Sequence, residues 1–423
     1  MPYDIVIVGG GAGGLELAAR LGRRFGRREG PRRVLLVDRS IFHLWKPSLH
    51  EVAAGTLDAH QEGLSYLVLA RRNHFSFLFG DVSALEPEAK RLCLSESRGP
   101  DGAVLIGPRT LSFRRLVLAT GSGSNLFNTP GAAEHVFLLE DVADAETFHR
   151  RLTAAFLSAA YAGPGNLAIA IVGAGATGVE LSTELLEGHA ALSEALDMTQ
   201  RFHLRVILIE AAPRILGGLR QEVAEKAARA LRERGVEVIT GGQVTRVLAE
   251  GLETSRGFVP ADLVVWAAGV QAGEGNRSFG LATGRLNQFI VDDRLRTSGT
   301  DIYAIGDCAE APGPGGRPVP ARAQAAAQQA RYLARALAGS KNPDPYVYQD
   351  RGSLVSLGTG HGVGSLMGGL VGTNFLIEGL IARWAYMGLH LEHHRVVVGL
   401  RRTLLLALSR LFQRRISGRL KLH

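Results

Sequence analysis

Two stretches of this 423-residue chain run from consecutive apolar positions into a glycine-rich turn. Residues 4–8 lead into GGGAGG and residues 167–172 lead into GAGATG, and helix-forming residues follow each turn. Such a succession is typical of a strand–turn–helix unit. The separation of roughly 164 residues is too long for a solenoid repeat and predicts two duplicated domains.

Each glycine turn is followed by a second apolar run that ends in an acid, at residues 34–38 and 206–210. Continuous apolar runs are expected of parallel strands that are buried on both faces. The same reasoning predicts strands at residues 116–119, 263–266 and 302–305, and a connecting helix at residues 144–162. Residues 311–320 have the composition of a loop.

The length of the chain and the order of these elements predict its domains. A chain of 423 residues exceeds what one hydrophobic core usually serves. We predict an α/β fold with two Rossmann-type dinucleotide-binding domains. The first comprises residues 1–135 and 290–345, and the second comprises residues 163–289. Residues 346–423, where the pattern changes, form a C-terminal α+β region.

The glycines at residues 9–14 (the first loop) and 173–178 (the second loop) have the spacing of a phosphate-binding turn. A helix that starts at such a turn directs unpaired N–H groups and its positive dipole end to one point, where a pyrophosphate can bind. One glycine makes the turn, one lets the backbone approach the phosphates, and one lets helix and strand pack closely. These are Gly9, Gly11 and Gly14 in the first loop and Gly173, Gly175 and Gly178 in the second.

The acid at the end of each second strand is the candidate ligand of a ribose 2′-hydroxyl. Asp38 has this position in the first unit and Glu210 in the second. A carboxylate there would repel a 2′-phosphate, so Glu210 predicts a preference for NADH over NADPH. The alternative interpretation is an acid that caps a loop.

Composition and cysteine content narrow the class of protein. Apolar residues make up 46% and charged residues 21%, as in a globular protein. Cys93 and Cys308 are the two cysteines, and they form neither a Cys-x-x-Cys motif nor a zinc spacing. We therefore expect a reducing compartment and no metal site, and we interpret Cys308 as a small buried residue. The N-terminus enters a strand and lacks the features of a signal peptide.

The net charge of +8 is concentrated at the C-terminus. Residues 395–423 carry seven arginines, one lysine and no acid. A basic segment of this kind points to one anionic partner surface and argues against a nucleic-acid-binding protein. Residues 361–380 are apolar and glycine-rich, but they do not predict a spanning helix.

Residues 399–415 predict a basic amphipathic helix that lies in the membrane interface, with leucines in the acyl chains and arginines at anionic head groups. Trp384 and Tyr386 are candidates for the head-group level. The alternative is a helix packed on the body of the protein or on a second subunit. One face carries Leu400, Leu404, Leu405, Leu408, Leu411 and Phe412, and the other carries Arg402, Ser409, Arg410, Gln413 and Arg414, while Arg401 and Arg415 interrupt the pattern.

Three further signatures resemble the flavoproteins with two dinucleotide-binding domains, which have a glutathione-reductase-like fold. They are LVLATGS at residues 116–122, VVWAAGV at 264–270 and YAIGDCA at 303–309. Within this superfamily the chain is most similar to the type II NADH:quinone oxidoreductases. The similar segments are FHLWKPSLHEVAAGTLD at residues 42–58, GVELSTEL at 178–185, PARAQAAAQQA at 320–330 and GSLVSLG at 352–358.

This resemblance implies FAD and NADH as cofactors, and electron transfer from NADH through FAD to a membrane quinone without proton pumping. It further implies a peripheral, monotopic enzyme on the cytoplasmic face of the inner membrane. A homodimer is one possible assembly, and no nucleic acid is expected as a partner. The implied FAD ligands are Gly9, Gly11, Gly13, Gly14, Asp38, Ala119, Gly121 and Asp307, and the implied NADH ligands are Gly173, Gly175, Gly178, Glu210 and Gly269.

Three residues are predicted to take part in catalysis. The resemblance implies that Glu180 lies near the nicotinamide and the flavin and aids hydride or proton transfer. The alternative is that Glu180 is an acid in the first turn of the helix, stabilised by the helix dipole. Gln324 and Gln328 share one face of a helix that Pro318 or Pro320 begins, and their amides can hydrogen-bond quinone carbonyls. The alternative for both is that they face water.

The same residues bear on other activities. A disulfide reductase or a sulfide:quinone reductase needs cysteines near the flavin, which Cys93 and Cys308 do not supply as a pair. A redox-sensing or interaction protein that binds NADH, and a dehydrogenase with another acceptor, stay open. His43 is a weak candidate for an acid catalyst, and His390, His393 and His394 are expected at an interfacial surface rather than on a metal.

Overall fold

The structure, a computed structural model, describes residues 2–99, 101–162, 165–195, 202–339, 344–358, 362–367, 374–378, 388 and 392–416. The helices in chain order are α1 Ala12–Arg33, α2 Leu49–Ala53, α3 Ala59–Glu62, α4 Tyr66–Asn73, α5 Ala132–His135, α6 Val142–Tyr161, α7 Ala176–Ala195, α8 Gln221–Glu233, α9 Ala323–Leu337 and α10 Leu400–Ile416. Short 3-10 helices lie at Lys46–Ser48, Glu274–Phe279, Gly306–Cys308 and Pro314–Gly316.

The strands of the N-terminal half are β1 Tyr3–Val8, β2 Val34–Asp38, β3 Phe42–His43, β4 Leu64–Ser65, β5 Ser76–Phe79, β6 Val82–Glu86, β7 Arg91–Leu94, β8 Ser97–Arg98, β9 Val104–Ile106, β10 Arg109–Leu118, β11 Gly123–Ser124 and β12 Asn166–Val172. Those of the C-terminal half are β13 His203–Glu210, β14 Glu237–Thr240, β15 Val244–Leu248, β16 Gly251–Thr254, β17 Gly257–Pro260, β18 Leu263–Trp266, β19 Val270–Gln271, β20 Phe289–Ile290, β21 Ile302–Ala304, β22 Ala309–Glu310, β23 Gly352–Ser356, β24 Gly362–Met367 and β25 Asn374–Glu378.

The first unit is built on a seven-stranded sheet in the order β5-β2-β1-β10-β7-β6, with β21 paired to β10. Strands β2, β1, β10 and β21 run parallel, and Leu116 pairs with both Val6 and Ile302. The apolar runs predicted from the sequence form these central strands. Their side chains are buried on both faces of the sheet.

The second unit is built on a parallel four-stranded sheet in the order β14-β13-β12-β18. Ile169 pairs with Val206 on one side and with Leu263 on the other. The predicted α/β fold with two Rossmann-type units is confirmed by these two sheets, each with a glycine turn between its first strand and first helix.

The hydrophobic cores divide the chain somewhat differently from the predicted domain limits. Ala272, Phe279 and Phe289 pack in the core of the first unit. The connecting helix α6 instead packs in the core of the second unit, through residues such as Phe148 and Phe156. The limits of the second domain at residues 163 and 289 stay a prediction. The packing favours a return of the chain to the first unit near residue 271 instead of 289.

The C-terminal region contains an antiparallel sheet, β23-β24-β25, and two helical segments. Residues 392–398, here called the docking helix, bury Val396, Val397 and Val398 against the first unit. Helix α10 follows and confirms the predicted helix to within one residue at each end. Among the residues that the structure covers, no helix combines the length and hydropathy required to cross a bilayer.

Candidate functional site

The first loop connects β1 to α1 and has the backbone that its glycines predict. Gly9 adopts a φ of 97°, and its N–H donates to Val37 O at 2.8 Å. A Cβ on Gly14 would overlap Gly9 O, whereas a Cβ on Gly11 would meet no atom within 4 Å. Gly9 and Gly14 thus allow the close packing of the turn, whereas Gly11 faces open space at the N-terminus of α1.

Asp38 closes the first loop from the end of β2. Its two carboxylate oxygens accept hydrogen bonds from Gly10 N at 2.5 Å and from Ser40 N at 2.7 Å. Burial raises the pKa of Asp38, and the two N–H donors oppose that shift. The alternative role of Asp38 as a loop cap is therefore present in the structure, and each oxygen keeps lone pairs for a further donor.

The carbonyl of Gly10 is held by two side chains. His43 Nδ1 lies 3.0 Å from Gly10 O, and the Tyr66 hydroxyl donates to the same oxygen at 2.8 Å. Both side chains are about 3% exposed. His43 lies on β3 and Tyr66 begins α4, so segments outside the strand–turn–helix unit fix the orientation of this peptide.

The second loop has nearly the same backbone geometry as the first. Gly173 has a φ of 101°, and its N–H donates to Ile209 O at 2.7 Å. A Cβ on Gly178 would overlap Gly173 O, and a Cβ on Gly175 would meet nothing within 4 Å. Glu210 accepts from Ala174 N and Ala212 N, each at 2.9 Å.

The remaining cofactor-binding candidates are Gly13, Ala119 and Gly121 for FAD and Gly269 for NADH. Ala119 N donates to Val8 O at 2.8 Å, and Gly121 adopts a φ of 74° two residues later. Gly13 packs against Ala326 of α9. Gly269 has a φ of 68° and packs against the ring of Phe127, close to the junction of β18 and β19.

Asp307 lies in the 3-10 helix after β21. One of its oxygens accepts from the Ser122 hydroxyl at 3.0 Å, and Lys46 Nζ donates to Ser122 O at 2.6 Å. Burial raises the pKa of Asp307, while Ser122 and Lys46 oppose the shift. Asp307 therefore joins the turn of residues 119–124 to the segment of residues 42–58.

Gln329 is a residue that sequence reasoning missed. Its side chain is buried, at 1% exposure, and its Oε1 accepts from Gly306 N at 2.6 Å. This bond fixes the turn that carries Asp307. Gln329 directly follows Gln328 in the sequence, and this adjacent pair was a signal. The i, i+4 spacing of Gln324 and Gln328 draws attention to a different face of the helix.

Glu180 is a buried carboxylate in α7. Its Oε1 accepts from Ser356 N at 3.0 Å, and Oε2 lies 3.6 Å from His50 Nδ1. Glu180 follows four residues after the start of α7, and the first turn of that helix carries no acid. The alternative of a first-turn acid is therefore wrong.

His50 and Glu184 extend this polar cluster. Burial lowers the pKa of His50, and burial together with Glu51 raises the pKa of Glu184. The Glu184 carboxylate accepts from the Thr56 hydroxyl at 2.6 Å. Both shifts favour the uncharged forms of these side chains over the charged ones.

Gln324 and Gln328 contact one segment of the C-terminal region. Gln324 Nε2 donates to Gly352 O at 2.8 Å, and its Oε1 accepts from Arg351 N at 3.2 Å. Gln328 makes the same pair of bonds with the main chain of Gln349, at 2.7 and 3.1 Å. The two amides therefore bind the main chain, and the alternative that they only face water is wrong.

These contacts bring the three catalytic candidates to one place. Glu180 binds Ser356, and the two glutamines bind residues 349–352, so all three line the segment that leads into and through β23. Helix α9 begins at Ala323, so the predicted start at Pro318 or Pro320 is wrong. Val319 N instead donates to Ala311 O in an extended segment.

The histidines near the C-terminus are not at the interfacial surface that was expected. His393 and His394 are 5% and 6% exposed, and His393 Nε2 lies 3.1 Å from His43 Nε2. No cluster of three metal-ligating side chains occurs among the described residues. Cys308 is fully buried, as predicted. His390, Trp384 and Tyr386 lie outside the described residues.

The chain is similar to known proteins over nearly its whole length. The family described as pyridine nucleotide-disulphide oxidoreductase matches residues 3–330. A type II NADH:quinone oxidoreductase of Haemophilus influenzae is 37% identical, over 99% of this chain and 100% of that protein. The chain belongs to the type II NADH:quinone oxidoreductases. The protein of that name from Staphylococcus aureus is 28% identical, over 86% of this chain and 90% of its own.

A solved structure supports the fold of this type II oxidoreductase chain. NDH2 from Plasmodium falciparum in complex with NADH superposes with a TM-score of 0.80 over 99% of each chain, at 16% sequence identity. At that identity the likeness concerns the fold alone. The open space beside Gly11 and Gly175, the donors of the two loops and the paired acids fit FAD in the first unit and NADH in the second.

Proposed function

We propose that this chain oxidises NADH and reduces a membrane quinone, with FAD as the electron carrier between them. The observation that supports it is the repetition of one loop geometry in two units, each with an acid at the ribose position and open space at its second glycine. When bound, FAD accepts a hydride equivalent from NADH and passes two electrons to the quinone.

The residues of the two loops bind and orient the dinucleotides. The N-terminal ends of α1 and α7 stabilise the pyrophosphates, and Asp38 and Glu210 accept from the ribose hydroxyls. Asp307 and Gly121 are the proposed contacts of the FAD ribityl and pyrophosphate region, with Gly13, Ala119 and Gly269 allowing the backbone to approach its ligand. Glu210 carries the preference for NADH, because it repels a 2′-phosphate.

Glu180 is the proposed acid–base residue. Reduction of a quinone consumes two protons, one more than NADH supplies, so a buried proton-exchanging group near the flavin is required. Glu180 lies within reach of His50, and both are at most 5% exposed. We expect Glu180 to hold or move this proton and to keep Ser356 in place.

Gln324 and Gln328 are proposed to shape the quinone site through the segment of residues 349–352. Each amide nitrogen carries two hydrogens, and one of them is used by a main-chain carbonyl in the structure. The second hydrogen can donate to a quinone carbonyl. Uncharged donors suit this ligand because they avoid the cost of a buried charge.

Anaerobic stopped-flow spectroscopy tests the proposal. NADH is mixed with the flavin-loaded protein while absorbance near 450 nm is followed, and a short-chain quinone is added second. We expect fast bleaching by NADH, slow bleaching by NADPH and rapid recovery with quinone. Bleaching without recovery would refute the quinone acceptor and keep the NADH site.

Variants separate the roles of the three candidates. Glu180→Gln is expected to slow turnover, and Gln324→Ala and Gln328→Ala are expected to weaken quinone kinetics while flavin reduction by NADH stays normal. Gln221→Ala, on the exposed face of α8, is the control. An unchanged quinone KM in both glutamine variants would remove them from the quinone site.

The membrane is the proposed partner of an apolar and basic surface on α4 and α10. Arg72 of α4 lies against Gly399, and burial and the neighbouring Arg402 lower its pKa. Thr403 faces the body of the protein, so the leucines point outward. The apolar residues of this surface are 54–64% exposed, with Arg401 and Arg402 beside them: Leu67, Val68, Leu400, Leu404, Leu405 and Leu408.

Exposed leucines among arginines match the interface of an anionic bilayer. We expect the protein to sediment with anionic vesicles, and the double variant Leu404→Ser, Leu405→Ser to bind about 10-fold more weakly. Leu105→Ser in β9, whose leucine is 69% exposed, is the control. A concentration-dependent dimer that the double variant abolishes, without vesicle binding, would instead assign this surface to a second subunit.

The cytoplasmic face of the inner membrane is the proposed location. Proteolysis of sealed membrane vesicles of either orientation tests it, because only one orientation exposes a peripheral protein. We expect degradation in inside-out vesicles and protection in right-side-out vesicles.

A further inference from the structure

The docking helix is attached to the first unit by hydrogen bonds at its C-terminal carbonyls. Arg23 Nη1 donates to Val396 O at 2.6 Å, and Asn73 Nδ2 donates to Val397 O at 3.0 Å. Arg23 lies on α1, the helix that starts at the first loop, and Asn73 is the last residue of α4. The docking helix therefore rests on the two helices that flank the first loop.

His393 is the residue of the docking helix that approaches the first loop. Its ring lies 4.4 Å from the Trp45 ring, centroid to centroid, and its Nε2 lies 3.1 Å from His43 Nε2. His43 Nδ1 in turn lies 3.0 Å from Gly10 O. A chain of two imidazole rings thus runs from the C-terminal region to the Gly10 carbonyl.

The direction of these hydrogen bonds follows from the acceptor at one end. A carbonyl oxygen only accepts, so the proton of His43 is on Nδ1. In the neutral imidazole Nε2 is then an acceptor, and His393 Nε2 must be the donor. Burial lowers the pKa of His43 to about 4, so this neutral tautomer is the form present at neutral pH.

The Gly10 carbonyl matters because it shares a peptide plane with the N–H of Gly11. In a trans peptide the C=O and N–H point to opposite sides. Because His43 and Tyr66 hold the Gly10 carbonyl, the Gly11 N–H points away from these two side chains. This inference rests on the proposed function, in which the N–H groups of the first loop would bind the FAD phosphates.

We infer that the docking helix is a positioning element of the FAD site, in which His393 fixes the tautomer and orientation of His43, and His43 fixes the peptide that presents the Gly11 N–H to FAD. His43 and His393 are positioning residues, since neither needs to touch the cofactor. The C-terminal region thereby contributes to retention of FAD as well as to the membrane surface.

A double-mutant cycle on the full-length holoprotein tests this inference. The readout is the rate at which bound FAD leaves, followed by the rise of flavin fluorescence after dilution. His393→Phe keeps a ring against Trp45 and removes the donor, and we expect it to raise the rate about 10-fold, the equivalent of one hydrogen bond. His43→Asn keeps a donor near Gly10 O and removes the acceptor of His393.

In the His43→Asn background we expect His393→Phe to change the rate by less than about 2-fold, because the link that it breaks is already absent. The same factor in both backgrounds, or no effect of His393→Phe in the wild type, would overturn the inference. His135→Asn, an exposed histidine on α5, is the control and is expected to leave the rate unchanged.

A second background keeps the test decisive should His43→Asn fail to fold. In Tyr66→Phe, His43 is the remaining side-chain donor to Gly10 O. There His393→Phe is expected to raise FAD release by more than its wild-type factor of about 10. An equal or smaller factor would show that His393 acts independently of the Gly10 peptide.

Discussion

The first and second loops share their geometry but differ in what holds them. In both, the acid at the end of the second strand binds the N–H after the first glycine. In the first loop the following carbonyl is held by the His43 and Tyr66 side chains. In the second loop the equivalent carbonyl, Ala174 O, accepts from the main chain of Leu216 at 2.8 Å.

This difference corresponds to the ligands. NADH must bind and leave in each catalytic cycle, and one main-chain donor from within the second unit holds the equivalent carbonyl of its loop. FAD stays through many cycles, and its loop is supported by side chains from β3 and α4, with the docking helix behind them. On the proposed function, we expect the two loops to differ mainly in how long they retain their ligands.

The largest effect is expected from a side chain that enters either ligand space. Gly11 has extended backbone, with a φ of −64° and a ψ of −167°, so Gly11→Val is compatible with the fold and blocks the phosphate site. We expect no bound flavin after purification. Gly175→Val should keep FAD but slow flavin reduction by NADH more than about 100-fold. Flavin absorbance and stopped-flow rates measure both, and flavin retained by Gly11→Val would contradict the assignment of the loops.

The acids provide the next prediction. Removing the carboxylate at Glu210 should lower the selectivity for NADH over NADPH by about 100-fold, since the repulsion of a 2′-phosphate disappears. The ratio of kcat/KM for the two coenzymes measures it. Asp38→Ala is the comparison and should weaken FAD without altering coenzyme choice. A ratio unchanged in Glu210→Ala would place the ribose elsewhere.

The pH dependence of stability should separate the loops further. Because the pKa of His43 falls to about 4 in the folded protein, from 6.5, the unfolded chain binds more protons between these values. The contribution of His43 is therefore full above pH 6.5 and is lost as the pH falls toward 4, by on the order of 3 kcal/mol.

Thermal unfolding at pH 7 and pH 5 measures this loss, and the difference between wild type and His43→Asn isolates it from the other titrating groups. We expect the variant to show a shallower fall in melting temperature. The corresponding donor in the second loop is the main-chain N–H of Leu216, which does not titrate in this pH range. Parallel pH profiles of wild type and variant would contradict the neutral state of His43.

The smallest expected effect concerns Tyr66. Tyr66→Phe removes one of two donors to Gly10 O and leaves the other, so the free energy of unfolding should fall by about 1 kcal/mol. Chemical denaturation of the apoprotein measures it. Tyr303→Phe, at a half-buried position of β21 in the first unit, is the control for loss of a hydroxyl.

Local patterns were sufficient to predict most of the fold and the framework of the site. The loop glycines, Asp38, Glu210 and the first two strands of each sheet belong to strand–turn–helix units, which short sequence segments identify. The connecting helix was likewise predicted from its periodicity and forms as α6. Each of these features is set by residues close together in sequence.

The features that escaped prediction join distant segments. The contact of His43 with His393 spans 350 positions, and that of Glu180 with Ser356 spans 176. No local pattern encodes such a partner. The start of α9 was misplaced for a similar reason, because Val319 pairs with Ala311 in an extended segment and so delays the helix beyond the prolines.

The placement of β21 has a consequence for synthesis on the ribosome. The sheet of the first unit receives Ile302–Ala304 beside β10, so it keeps an unpaired central edge until the chain beyond residue 304 has emerged. The second sheet is complete within residues 166–266. The second unit is thus expected to fold first. Until then the N-terminal strands of the first unit expose unpaired main-chain groups that chaperones can bind.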